Sequence, residues 1–354
     1  MRFPRLVVTL LAAAGALGAQ APAPRPTPGG ERLFYYVDGE ASWRSLVANA
    51  DRIDIVGPQS LTVDSLGIVY GTVDPLLTRL AREKRIRVMP LVVNEGFQQA
   101  PLHRLLADTV AQRRAIRSLV ALCRQHDWWG IQFDLENISI TDRDRFTAFY
   151  RRTADALHAE GRTLSVAVVA SPGEEVVANG YHRFMLDSWR GAFDLAALAE
   201  AGDFISIMTY DQHTRRTPPG PVAGVPWMQA MVEHALRLVP PGKLSLGIPL
   251  YGRWWYVQGD ASSALRTSVG QRPVSWTWGT HVVERAGGAV QWDASEGTSW
   301  ARITVGGTWE WLFLEDVRAF DAKLAVLRAR RLRGFSAWEL GSEDPAIWPR
   351  LPTR

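Results

Sequence analysis

Eight short apolar runs alternate with amphipathic stretches along this chain, and that alternation constrains its fold more than any other feature. The runs lie at 33–37, 52–56, 87–93, 130–134, 163–170, 204–208, 244–249 and 334–338. Helical patterns fill the gaps, at 41–50, 75–84, 111–126, 142–160, 195–201, 227–238 and 314–331. Strands that alternate with helices argue for parallel βα units, because a parallel pair needs a long crossover. Eight such units over about 320 residues predict a closed (β/α)8 TIM barrel of the α/β class. An open doubly wound sheet is the competing arrangement, but no glycine fingerprint follows the first run.

Two segments depart from the alternation. From about 251 to 311 the chain is rich in Trp, Gly, Thr and Ser, with short apolar runs at 282–283 and 301–305. It reads as antiparallel hairpins inserted after the seventh strand. Residues 65–71 read as a smaller hairpin in the loop after the second strand. At the N-terminus, Arg2 and Arg5 precede an apolar run from Leu6 to Leu17 and then small residues. That order predicts a cleavable secretory signal over 1–21, with an uncleaved anchor as the alternative. A Pro- and Ala-rich linker is expected over 22–30, and the barrel over 31–354. The expected location is therefore secreted or periplasmic, with no stable membrane insertion once the signal is removed.

The formal charge is only +4 over 354 residues, and no basic block stands out. Nucleic acid is therefore not an expected partner. The only cysteine is Cys123, so no internal disulfide can form. No Cys/His cluster has metal-ligand spacing and no glycine-rich loop has phosphate-binding spacing, so neither metal nor other cofactor is expected. A domain of this length can hold its core without either, and a monomer is expected.

Chemistry gathers where a β/α barrel would put it, at the C-terminal ends of the strands. Asn94 ends the third run, Asp134 and Glu136 the fourth, and Met208-Thr209-Tyr210-Asp211 the sixth. Tyr251 and Arg253 end the seventh, and Trp338 the eighth. In the fourth strand Gln132, Asp134 and Glu136 alternate with Ile131, Phe133 and Leu135, so the polar three share a face. An isolated Asp-x-Glu is usually a solvated strand face. Coincident polar ends on several strands instead imply one pocket with carboxylates, tyrosines and a tryptophan platform. Two adjacent acids push one pKa upward, which keeps a carboxylic acid protonated near neutrality, as a general acid requires.

These motifs resemble those of family 18 glycoside hydrolases, the chitinase-like barrels. The family's fourth-strand D-G-x-D-x-D-x-E register reads Trp129-Gly130-Ile131-Gln132-Phe133-Asp134-Leu135-Glu136 here. Met208 to Asp211 match its M-T-Y-D, and Gly247 to Arg253 its G-I-P-x-Y-G-R. Gln291-Trp292-Asp293, Glu315-Asp316 and Gly334 to Gly341 follow in the family's order. The resemblance covers roughly residues 32–350.

It implies substrate-assisted, retaining hydrolysis of N-acetylated amino-sugar glycans, in which the substrate's own acetamido oxygen is the nucleophile. Glu136 would be the acid and then the base, Asp134 would hold the acetamido N–H, and Tyr210 would donate its hydroxyl to the same group. Trp338 would floor the sugar subsite, and Asp211 would bind a sugar hydroxyl or tune the site. Met208, Gln132 and Asn94 are further expected binding residues. Tyr251 and Arg253 would line or support the pocket, Arg253 equally well as a structural ion-pair partner.

Two positions depart from the family pattern. Trp129 and Gln132 stand where acids are usual. Gln132 is expected to hydrogen-bond Asp134 without charge and to leave it ionised over a wider pH range. An amide there resembles the branch with spore-cortex and chitobiose-cleaving enzymes, which points to peptidoglycan or short chitooligosaccharides. A lectin on the same barrel and an N-glycan endoglycosidase stay open as alternatives; the retained Glu136 argues against the lectin. Of the 15 tryptophans, Trp254, Trp255, Trp276, Trp278, Trp309 and Trp311 crowd the insertion, as sugar platforms or as packing. Trp128 and Trp129 are expected in the core at the far end of the barrel. His213 lies near the site in sequence, with no defined role.

Overall fold

The computed structural model describes residues 30–258 and 268–354. The signal over 1–21 and all of the linker but Gly30 lie outside the described residues. Glu31–Tyr36 pairs in parallel with Ile55–Val63 on one side and Gly334–Trp338 on the other, which closes the barrel. Between them run a split third strand (Arg87–Val88 and Leu91–Asn94), then Gly130–Asp134, Thr163–Val169, Phe204–Met208 and Leu244–Pro249. The fold is a (β/α)8 barrel, with a β-rich insertion between the seventh and eighth strands.

Local chemistry explains where the elements depart from the expected bounds. The second strand begins at Ile55, because Ala50–Arg52 form a 3-10 turn, and it continues to Val63 through Gly57 and Pro58. Those two residues imitate a strand stop. Its end pairs antiparallel with Val69–Tyr70, which makes the small hairpin. The third strand breaks at Met89-Pro90, since proline brings no N–H to the ladder. The helix Thr109–His126 starts where the Asp108 carboxylate accepts from the Val110 and Ala111 amides. Asp316 caps Val317–Arg330 in the same way, so Leu314 belongs to a strand and not to the last helix, as the sequence had suggested. Helices Gln99–Ala107 and Gly180–Met185 were not anticipated.

The core has two layers. Phe133, Phe146, Phe149 and Tyr150 pack between the strands and the outer helices. Leu33, Tyr35, Ile55, Met89, Leu91 and Phe204 fill the barrel interior. Trp128 is buried in the outer layer. Trp129 is half-buried at the interior's N-terminal mouth, with Phe204 beside it and the Arg87 guanidinium 4.3 Å above its ring. Gly130 is obligatory: a Cβ there would sit 2.1 Å from the Thr163 carbonyl oxygen.

The insertion is a five-stranded antiparallel sheet ordered Ser268–Val274, Gly252–Gln258, Thr308–Leu314, Thr298–Val305, Gln291–Asp293. It also contains the helix Trp276–Arg285, which claims Val282 and Val283; these were expected in a hairpin. Val274, Val283, Ala301, Ile303, Leu312 and Leu314 form its own small core. Among the described residues no helix is long and apolar enough to cross a membrane.

Candidate active site

The fourth strand delivers its polar face to three depths of the barrel. Gln132 lies deepest, fully buried. Its Oε1 accepts from the Tyr35 hydroxyl at 2.7 Å, and its Nε2 donates to Ser165 Oγ at 2.8 Å and Ser206 Oγ at 3.1 Å. Ser336 continues the network, 2.8 Å from Ser206 and 2.7 Å from Ser245. This hydroxyl–amide chain spans six barrel strands and engages both ends of the Gln132 amide. The expected bond from Gln132 to Asp134 is therefore absent, and Gln132 lines neither cleft described below.

Asp134 sits one step higher, at the mouth. Its Oδ2 accepts only a long 3.5 Å contact from Gln59, and its Oδ1 is buried without a partner. Burial raises its pKa to about 6. The neutral Gln132 thus removes a like charge from below Asp134 but leaves its desolvation in place. Glu136 follows just beyond the strand. Burial pushes its pKa well up, with the nearby charges of Asp134 and Asp211 adding to the effect. Desolvation, and not like-charge repulsion, is the leading cause.

Asn94 is buried under Glu136 and is used up there. Its Oδ1 accepts from the Glu136 amide at 2.9 Å and its Nδ2 donates to the Glu136 carbonyl at 3.1 Å. It clamps the backbone of the acid and is not a wall of either cleft, contrary to its expected place among the binding residues.

The sixth and seventh strands supply the opposite wall. Asp211 adopts a left-handed backbone with φ of 60°, which turns the chain sharply after Tyr210. Tyr210 and Tyr251 meet edge-to-face at 6.4 Å, and burial raises both phenol pKa values well above their usual range. Tyr251 and Arg253 both donate to Asp211 Oδ1. Arg253 is buried and also donates to the His213 carbonyl at 2.7 Å, so it acts as an ion-pair strut for the Asp211 turn. His213 is a backbone anchor there. Trp338 lies against Tyr35, with ring centroids 5.4 Å apart.

Two clefts meet at Glu136 and share Met208, Tyr210 and Asp211. The smaller, about 270 Å³, holds Asp134, Tyr35, Gln59, Tyr251 and Trp338. The larger, about 390 Å³, runs under Tyr181, Phe184, Trp189 and Trp227, with Arg190, Arg215 and Arg216 on its walls. None of these last seven was singled out in the sequence. Most lie at 181–216, where motif spacing gives no signal. The tryptophans of the insertion line neither cleft. Trp254 and Trp278 pack together under Arg272, Trp255 is buried against Gly220, and Arg302 covers Trp309. Among the described residues no group of three or more His, Cys, Asp or Glu side chains could hold a metal ion.

A family model described as "Glycosyl hydrolases family 18" matches residues 59–344. The chain belongs to this family. Among family relatives, a Bacillus subtilis protein named as a sporulation-specific glycosylase, YdhD, is 28% identical over 267 residues, covering 72% of this chain and 58% of that protein. The cortical fragment-lytic enzyme of Bacillus subtilis is 27% identical over 256 residues, covering 72% of this chain and 56% of its own. The chain thus spans little more than half the length of these two relatives. Among solved structures, a chitinase from Chromobacterium violaceum superposes with a TM-score of 0.79 at 27% identity, covering 90% of this chain and 97% of the other.

Proposed function

We propose that this family 18 protein is a secreted glycosidase that cleaves β-1,4 bonds after N-acetylglucosamine in peptidoglycan or related oligosaccharides. The observation that carries the reading is the pairing of Glu136 with Asp134, whose buried Oδ1 has no partner within the protein. A buried acceptor left open costs stability unless a ligand fills it, and an acetamido N–H is the donor this chemistry supplies. The smaller cleft takes the sugar to be cleaved, over Trp338 and beside Tyr210.

In the first step, Glu136 gives its proton to the glycosidic oxygen. The C1–O bond breaks while the acetamido oxygen bonds to C1 and forms a cyclic oxazolinium ion. Asp134 accepts the acetamido N–H and offsets the developing positive charge, and Tyr210 donates to the same group. The leaving sugar departs from the larger cleft. Water then enters, gives a proton to Glu136, and its oxygen replaces the acetamido oxygen at C1 with net retention. Asn94 holds the Glu136 backbone still during both proton transfers. Likeness to a cortical fragment-lytic enzyme favours a cell-wall substrate, and the amide at 132 agrees with that branch of the family.

The test is mass spectrometry of soluble products from peptidoglycan and from N-acetylglucosamine oligomers. Glu136→Gln should lower kcat by about 10²- to 10⁴-fold, the usual worth of a positioned acid–base group. Fragments from peptidoglycan with wild type only are the expected result. Sugar binding without any product from wild type would replace the hydrolase with a lectin.

A further inference from the structure

The two clefts differ in charge. Glu136 and Asp211 border both; the smaller adds the Asp134 carboxylate and has no cationic side chain among its lining residues. The larger carries Arg190, Arg215 and Arg216, and among the described residues none of these three has an ion-pair partner. Their neighbours are different. Arg253 is paired with Asp211, Arg143 with Glu174 and Arg183 with Asp187. Arg215 and Arg216 are exposed, whereas Arg190 is half-buried.

Arg190 is the least comfortable of them. Its Nε is buried with no acceptor, and burial works against its charge. The Arg216 guanidinium lies 4.4 Å above the Phe184 ring, which holds it at the cleft wall. A half-buried guanidinium without an acceptor is costly, and its fork fits the two oxygens of a carboxylate. The stacking surface beside it is aromatic, Trp189 and Tyr181, which suits a sugar ring.

We propose that the larger cleft is a subsite for a carboxylate-bearing leaving sugar, a muramic acid unit whose 3-O-substituent reaches Arg190, Arg215 and Arg216. The carboxylate comes from the lactyl group itself or from the peptide attached to it. This assignment rests on the hydrolase reading and deepens it. In a polymer that alternates neutral and acidic sugars, the charge difference between the clefts selects one bond. The neutral N-acetylglucosamine lies over Trp338 and the acidic sugar leaves.

The experiment compares kcat/KM for alternating tetrasaccharides in three forms: free lactyl acid, lactyl methylamide and peptide-bearing. N-acetylglucosamine oligomers serve as the neutral reference, and borohydride reduction marks the new reducing end. The free acid should exceed the methylamide by about tenfold or more, equal to about 1.4 kcal/mol, and the new end should be N-acetylglucosamine. A still faster peptide-bearing substrate would assign the carboxylate to the peptide; a slower one would assign it to the lactyl group. The acid-over-amide ratio should fall toward unity in the Arg190→Gln/Arg215→Gln/Arg216→Gln variant and recover in part with lysines at the three positions. Equal rates for acid and amide in wild type, a ratio unchanged in the glutamine variant, or new muramic acid ends would overturn the proposal while leaving the hydrolase in place. Failure of wild type to cut any of these substrates would overturn the hydrolase reading and this one with it.

Discussion

At the scale of single residues, the site depends on how deeply each acid is buried. Asp134 is held near pH 6 and Glu136 well above its usual range, chiefly by desolvation. The Asp134 charge adds to the upward shift of Glu136. With Asp134 acting as carboxylate and Glu136 as acid, kcat/KM should rise through about pH 6. It should fall again where Glu136 loses its proton. Gln132→Asp adds a buried like charge below Asp134, so the rising limb should move to higher pH. Superimposable pH–rate profiles for the two proteins would contradict this assignment. Asn94 is the second test at this scale. Asn94→Ala removes both side-chain bonds to the Glu136 backbone, and should cost about 1–3 kcal/mol in denaturant unfolding. It should also lower kcat more than it raises KM. The acids, the tyrosines and Trp338 were legible in sequence because motif spacing places them on strand ends. The roles of Asn94 and Gln132 were not, because a polar side chain at a strand end reads alike whether it faces a ligand or a neighbouring backbone. A signal was available for the interior network: Ser165, Ser206, Ser245 and Ser336 are each a single serine flanked by apolar residues in a barrel strand. Their recurrence at the second or third position of each strand marks a shared polar plane.

At the scale of elements, the insertion is tied to the barrel by charge as well as by packing. Lys323, on the last helix, donates to Glu315 at the exit of the insertion's strand, and both are almost fully buried. Burial lifts Glu315 to about 7 while Lys323 pulls it down. Lys323→Met strands the carboxylate, and should cost about 3–5 kcal/mol in thermal or denaturant unfolding. Lys323→Met with Glu315→Leu should recover much of that loss, since a buried pair replaced by apolar groups is often tolerated. A harmless single substitution would show that the pair contributes nothing. The strand–helix alternation was readable because period and length separate the two kinds of element. The helix Trp276–Arg285 was not, since its tryptophans and Gly279 obscure a helical stripe. Segment 180–190 was also missed. It is short, passes from α to π geometry, and buries only Leu186, so it shows little apolar periodicity. Yet it brings Tyr181, Phe184, Trp189 and Arg190 to the larger cleft. Its place in the cleft comes from its position beside the end of the fifth strand, which periodicity does not record.

At the scale of the whole molecule, a closed barrel turns eight distant strand ends into one rim. Residues from 35 to 338 thereby meet around Glu136. The hydroxyl–amide plane beneath the rim is uncharged, so among the described residues it offers the buried acids at the mouth no cation to stabilise their ionised forms. That arrangement suits an acid that must stay protonated and a carboxylate that must find its partner on the sugar. In the proposed mechanism the acetamido group of the substrate, held by Asp134, attacks its own anomeric carbon while Glu136 moves the proton. Proton NMR of the reducing sugar formed in the first minutes of turnover tests it most directly, with Glu136→Gln as the control. Wild type should release the β-anomer first, before mutarotation, and the variant should release neither anomer at a comparable rate. Initial release of the α-anomer would mean direct displacement by water and would contradict it.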